Sequence, residues 1–414
     1  MSATYLLAHV SAAAKEPYRS LPSTPTPNLD SDTSAEDKGH SDAIWCTKWA
    51  RLESGESLVI TAGADHEIRT WNPSNGAKPT TVIKPKQSLG IVGLDVERDS
   101  SRRRSSSYFI TNTLDSVLTR WTLDGEQQAR KELGPGQCSS ELVRVPTAAD
   151  PASSLLSAAE SWGVTIHPSA PNVATAGNEG KVRILSAAID DFGTELVQMD
   201  AQGSFGSAIQ YSQDGRYLAV GSETGYITLF DAQTGSLVAT FPGQPSSESL
   251  IFSAPVSRLT RTFPTAHASP IRCITFTSSL LISASDDHRL NIFDLRSLAS
   301  PTATNATFSR RGQVASLGGH EGWVTCCAAR NDRLLASGSS DGTIKLWDLA
   351  NLAGGTGAVG TLRDHQADVW SLDWMPEDVS KATEGLGGAA AGMSGGQLVS
   401  GGEDAALRWW RGGG

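Results

Sequence analysis

One phrase recurs along the chain and restricts the fold more than any other feature. It is clearest at Leu335 to Leu349, LASGSSDGTIKLWDL, where an apolar run ends in Ser, a turn carries Asp, and a second apolar run ends in an aromatic residue. The Asp precedes the aromatic by six residues in Asp65 and Trp71, Asp115 and Trp121, Asp287 and Phe293, Asp341 and Trp347, and Asp404 and Trp410. Glu179 with Leu185 and Thr224 with Phe230 keep the register in weaker form, giving seven copies. Four residues before each turn position stands Thr61, Thr111, Thr175, Val220, Ser283, Ser337 or Ser400, and four copies carry an upstream histidine: His40, His267, His320 and His365. The sixth residue beyond the histidine position is always small: Cys46, Gly93, Gly163, Ala208, Cys273, Cys326 and Ser371. Apolar residues then alternate with period two, as in Ile274 and Phe276, which reads as a strand. Small side chains suit strands crowded around a common axis, so the pattern predicts an all-β, seven-bladed propeller.

Successive aromatic positions lie 50, 64, 45, 63, 54 and 63 residues apart. Repeats of this kind need only about 40–45, so the excess is expected in flexible loop insertions at 17–39, 131–156, 243–265, 301–313 and 377–396 of a single propeller spanning 1–414. The last copy ends at Trp410 with no outer strand after it, while Thr4 to His9 reads as a strand with no repeat of its own. The N-terminal strand is therefore expected to pair with the last blade and close the ring, removing an open edge. Met1 to Ser11 lacks the basic start of a signal peptide, and no apolar run approaches a membrane span of about 18 residues.

A net charge of −10 argues against a surface that grips nucleic acid broadly, so no direct nucleic-acid contact is expected. Five cysteines without a CxxC pair favour neither a disulfide framework nor a zinc site, and no metal or cofactor is expected. His, Ser and Asp recurring together could suggest a hydrolytic triad, but the set repeats, an enzyme needs one nucleophile, and no GxSxG, P-loop or HExxH occurs. The expectation is a non-enzyme. Arg102-Arg103-Arg104-Ser105-Ser106-Ser107 is the one basic run, read as a solvated hairpin loop with a phosphorylation site as the sharper alternative.

These features resemble the WD-repeat family over nearly the whole chain. The resemblance implies a hydrogen-bonded structural network in His40, Thr61, Asp65 and Trp71; in His267, Ser283 and Asp287; in His320, Ser337, Asp341 and Trp347; and in His365, Ser400, Asp404 and Trp410. Phe293 in the fifth copy should leave its network incomplete. Trp45, Trp162 and Trp370 share the fifth place after the histidine position, and Trp323 lies two residues earlier in its own copy. In WD propellers that end of the inner strand meets the top face. Trp45, Trp162, Trp323 and Trp370, with Arg272 and the pre-turn acids Glu223, Asp286 and Glu403, are the expected protein-binding residues; the alternative is that each tryptophan packs sideways on the next blade.

Further segments, HSDAIWCTKW at 40–49, residues 204–235, HASPIRCITF at 267–276, SASDDHRLNIFDL at 283–295 and DHQADVWSLDW at 364–374, are similar to the WD-repeat subunits of Ski (superkiller) complexes, with insertions of a fungal type. That likeness implies a scaffold beside a helicase and a tetratricopeptide protein, assisting the cytoplasmic exosome in 3′-to-5′ mRNA decay. It also implies nuclear associations with meiotic double-strand-break proteins or the polymerase-associated factor complex, hence a cytoplasmic and nuclear location. A ubiquitin-ligase substrate receptor is the alternative adaptor reading.

Overall fold

The computed structural model describes residues 5–10, 39–73, 78–85, 89–98, 106–133, 161–201, 204–242, 266–298, 312–354, 357–376 and 397–412. Seven four-stranded antiparallel sheets form the blades of a propeller. Their inner strands, Ile44–Arg51, Ile91–Val96, Gly163–Ile166, Gly206–Tyr211, Ile271–Phe276, Val324–Ala329 and Val369–Trp374, surround a central channel of about 520 Å³. We number the blades 1 to 7 in that order and call the face where the inner strands begin the top.

The expected ring closure is present. Tyr5–Val10 pairs antiparallel with Leu407–Gly412, from Tyr5 opposite Gly412 to Val10 opposite Arg408, with an irregularity between Leu7 and His9. Blade 7 thus takes three strands from one end of the sequence and one from the other, and breaking the ring requires separating a strand ladder.

Apolar residues fill the wedges between adjacent blades. Cys326, Leu346 and Val369 of blades 6 and 7 share one cluster, and Ile60, Ile91 and Phe109 of blades 1 and 2 share another. The small sixth residue is required by close approach: a Cβ on Gly93 would come within 2.8 Å of Val164 of the next blade, and one on Gly163 within 2.8 Å of Ile209.

Two features of the blades have no mark in the repeated sequence pattern. The residue after the turn position adopts positive φ in every blade: His66, Ser116, Gly180, Gly225, His288, Gly342 and Ala405. The turn therefore reverses through a left-handed residue whether or not glycine supplies it. The second is a set of straps between inner strands. Asp95 Oδ2 accepts Ile166 N–H of the next blade at 2.8 Å, and Asp373 Oδ2 accepts Trp49 N–H across the closing seam at 2.8 Å. Thr165 and Thr275 make the same crossing with their hydroxyls at 3.5 and 3.4 Å.

Three expectations need correction. Lys131 and Glu132 belong to the strand Gln127–Glu132 and Leu133 is buried, because the outer edge of blade 2 extends into the segment assigned to an insertion. Gln313 likewise opens the outer strand Gln313–Gly318 of blade 5. Ser106 is buried and donates its N–H to Arg51 O at 2.7 Å, so this residue is not part of a solvated loop, whereas Ser107 is exposed. Arg102 to Arg104, and most of the five assigned insertions, lie outside the described residues.

Candidate top-face binding site

The turn Asp positions the top-face loops. In blade 6, Asp341 Oδ1 accepts Thr343 N–H at 2.9 Å, and Oδ2 accepts both Glu321 N–H at 2.9 Å and His320 Nδ1–H at 3.0 Å. The Nδ1–H bond leaves Nε2 as an acceptor, so the Ser337 hydroxyl, 2.8 Å away, donates to it. Trp347 Nε1–H donates to Ser337 Oγ at 2.8 Å, which completes a relay with every member satisfied. Blade 1 repeats it through Trp71, Thr61, His40 and Asp65, at 2.8, 2.7 and 2.8 Å.

The other blades depart from this set. Blade 5 has His267 bonded to Asp287 at 2.8 Å and to Ser283 at 2.7 Å, with Phe293 donating nothing, as expected. In blade 7, Trp410 Nε1–H donates to Ser400 at 2.8 Å, but Arg408 intervenes, 2.7 Å from both His365 Nδ1 and Asp404 Oδ2. Burial holds the His365 imidazole below its ordinary value, against the Asp404 hydrogen bond. Blade 2 keeps only the indole bond, Trp121 to Thr111 at 2.9 Å. Blade 4 uses Ser222, Thr224 and Ser204 where a histidine set would stand.

These networks fix the loops that lead into the inner strands. In six blades the ladder slips by one residue at the fifth position, which bulges out: Trp45, Val92, Ser207, Arg272, Thr325 and Trp370. In blade 3 the ladder starts at Gly163, just after Trp162. A bulge re-aims its side chain. Trp45, Trp162, Arg272 and Trp370 accordingly line the upper channel together.

The structure divides the expected binding residues. Trp45 leans on the next blade, since a Cβ on Gly90 would meet its ring at 2.6 Å. Trp162 sits edge-on to Phe205, with centroids 6.0 Å apart. Both therefore follow the sideways-packing alternative in part, and both are half-buried. Trp323 is 47% exposed and is not among the channel-lining residues; its backbone N–H donates to Ser340 Oγ at 2.8 Å. Trp370 is half-buried, with an indole N–H that is buried and without a partner among the described residues.

Asp286 is already engaged by Arg272, through Nε at 2.9 Å and Nη2 at 2.7 Å, so these two residues neutralise each other. Glu223 and Glu403 are exposed. Asp368, missed in the sequence, adds to the acids beside Trp370: burial, then the neighbouring carboxylates of Glu403 and Asp341, hold its carboxyl above the ordinary value. It occupies in blade 7 the place that Trp323 occupies in blade 6, three residues after the histidine, and that shared register was the signal available.

Lower in the channel, Lys48 lies 3.4 Å from Asp95 and Arg98 3.3 Å from Asp373. Burial works against the Lys48 ammonium, but Asp95 and Asp373 outweigh it and hold the group above its ordinary value. Two cations and two carboxylates balance here, so these residues present no surplus positive charge to a phosphate.

Residues 311–348 match the family model described as WD domain, G-beta repeat. The chain is a WD-repeat propeller. Residues 193–279 of this propeller also match the model for the WD40 domain of anaphase-promoting complex subunit 4. Similar proteins include WD repeat-containing protein SL1-17 of Schistosoma mansoni, 23% identical over 63% of this chain and 69% of that protein. Meiotic recombination protein rec14 of Schizosaccharomyces pombe is 26% identical over 33% of this chain and 38% of that protein. The DDB1- and CUL4-associated factor 11 homolog of Caenorhabditis elegans is 31% identical over 30% of this chain and 21% of that protein. The last two matches thus span well under two thirds of those relatives. No helix among the described residues is long and apolar enough to cross a membrane.

Proposed function

We propose that this WD-repeat propeller is a non-catalytic scaffold that holds partner proteins on its top face, as the WD-repeat subunit of a Ski-type complex assisting mRNA decay by the exosome. The observation that carries the reading is the surface on blades 6 and 7. An exposed residue, Trp323, stands just before the inner strand of blade 6 and a half-buried one, Trp370, bulges from the inner strand of blade 7; the His–Asp networks pin the loops that lead into both, and Asp368, whose carbonyl accepts Glu403 N–H at 2.9 Å, lies two residues before Trp370. An apolar centre flanked by acids suits a peptide with a hydrophobic anchor and a cationic residue. Its partners in this reading are a tetratricopeptide scaffold and a helicase, with meiotic double-strand-break proteins or the polymerase-associated factor complex as nuclear ones. Similarity to meiotic recombination protein rec14 supports the nuclear branch.

The second reading, a ubiquitin-ligase substrate receptor, draws support from similarity to the DDB1- and CUL4-associated factor 11 homolog. Affinity purification of the tagged chain followed by mass spectrometry separates the two. Recovery of a helicase with a tetratricopeptide protein supports the first reading. Recovery of a cullin without them overturns it in favour of the second.

A further inference from the structure

Four cysteines line the central channel: Cys46, Cys273, Cys326 and Cys327. Their surroundings differ. Burial pushes the Cys46 thiol up to about 12 and raises Cys326 as well, so both stay protonated and inert. Cys273, on the inner strand of blade 5, is half-buried, and its thiol lies 3.4 Å from the carbonyl oxygen of Cys327 on the inner strand of blade 6. The two strands run side by side, and both cysteines pack into one apolar cluster with Ile282 and Val324. The neighbouring Cys327 side chain, against burial and with help from Lys48, holds the Cys273 thiol below its ordinary value, while Cys327 is held well above its own.

We propose that Cys273 and Cys327 form an oxidisable dithiol, a modification site for hydrogen peroxide, that closes into a disulfide joining blade 5 to blade 6. The Cys273 thiolate attacks one peroxide oxygen; the O–O bond breaks, hydroxide leaves, and Cys273 becomes a sulfenic acid. The Cys327 sulfur then attacks the Cys273 sulfur. The S–S bond forms, the S–O bond breaks, and the departing hydroxide takes the Cys327 proton as water. Two thiols and one peroxide yield one disulfide and two waters. The channel, about 520 Å³, admits an oxidant little larger than water to the half-buried Cys273. The bond would form at a junction whose strap is a hydroxyl, Thr275 to Ala329 N–H at 3.4 Å, and not a carboxylate.

The test uses the full reduced chain. Peroxide treatment, alkylation and non-reducing peptide mapping should give a cross-link between the peptides of Cys273 and Cys327, reversed by dithiothreitol, in the wild type and equally in Cys326→Ala. Cys327→Ser should instead leave a sulfenic acid at Cys273 that dimedone traps. At neutral pH, Cys273 should react with iodoacetamide about tenfold or more faster than Cys46. Both cysteines remaining alkylatable in the wild type after peroxide treatment, or a cross-link lost in Cys326→Ala, would overturn the proposal.

Discussion

Ser337→Ala should cost more than Ser283→Ala, although both remove one hydroxyl from the same place in a blade. Ser337 is fully buried and serves two partners, accepting Trp347 Nε1–H at 2.8 Å and donating to His320 Nε2 at 2.8 Å. Its loss strands a buried indole N–H and a buried imidazole nitrogen. Each unpaired buried polar group costs about 1–3 kcal/mol, so the variant should lose about 3–4 kcal/mol. Ser283 serves only His267, because Phe293 has no donor, and its removal should cost about 2 kcal/mol. Urea unfolding at neutral pH, with the slope checked for constancy, measures both. In a Trp347→Phe background, Ser337→Ala should fall to the blade 5 value, giving a coupling energy of about 1–2 kcal/mol in a double-mutant cycle. Equal costs for the two serines, or strict additivity with Trp347→Phe, would refute the relay as described.

Asp373→Ala should destabilise by about 1–3 kcal/mol, because it leaves the buried Trp49 N–H without its acceptor at the closing seam; denaturant unfolding reads this directly. Removing residues 1–10 should lower the melting temperature sharply and produce self-association on size-exclusion chromatography, since Leu407–Gly412 would become an open edge. Ala405→Gly should stabilise by about 0.5–1 kcal/mol, relieving a left-handed alanine at φ 57°, and a thermal melt checks it. Acid should weaken the blades through the turn carboxylates. Burial alone would raise Asp404, but the His365 hydrogen bond, the nearby charges of His365 and Arg408 and the Gln366 N–H together outweigh it and lower it to about 2, and Asp65, Asp287 and Asp341 are lowered by their own histidine and backbone hydrogen bonds acting together against burial. A folded value below the unfolded one, about 3.9, gives stability that is present above that pH and lost as pH falls towards the folded value. For Asp404 the loss should run from about pH 4 to about pH 2, and Asp404→Asn should remove its share of that acid dependence in pH-dependent unfolding.

The blades were legible in the sequence because their marks repeat. An Asp six residues before an aromatic, a hydroxyl residue four before the Asp, and a small residue entering the inner strand recur at fixed offsets, and each has a local physical cause. Closure by residues near the N-terminus followed from the missing partner of Leu407–Gly412. Features made by contact between copies were not legible. The Asp95 and Asp373 straps join residues 71 and 324 positions apart, and nothing local to either aspartate names its acceptor role. Within blade 5, the pair between Arg272 of the inner strand and Asp286 of the following turn, 14 residues apart, removes one expected acid from the binding surface. The tryptophans at the fifth position share a register but not a fate. Gly90 gives Trp45 a surface to lie on and Phe205 gives Trp162 one, so their burial depends on what the neighbouring blade presents. Positive φ after the turn was not legible because His66, Ser116, His288 and Ala405 meet a backbone requirement usually marked by glycine.

The central claim, a partner site on the top face of blades 6 and 7, is tested most directly by titrating the captured partner against wild-type chain, Trp370→Ala and Glu403→Lys in a calorimeter, with a thermal melt of each protein alongside. Loss of a buried aromatic anchor should cost about 2 kcal/mol or more, a drop in affinity of roughly thirtyfold. Glu403 is exposed, so its reversal should leave the melt unchanged while weakening the same partner. Undiminished affinity in both variants, or a Trp370→Ala chain that binds normally but melts early, would show Trp370 to be packing alone and would contradict the site.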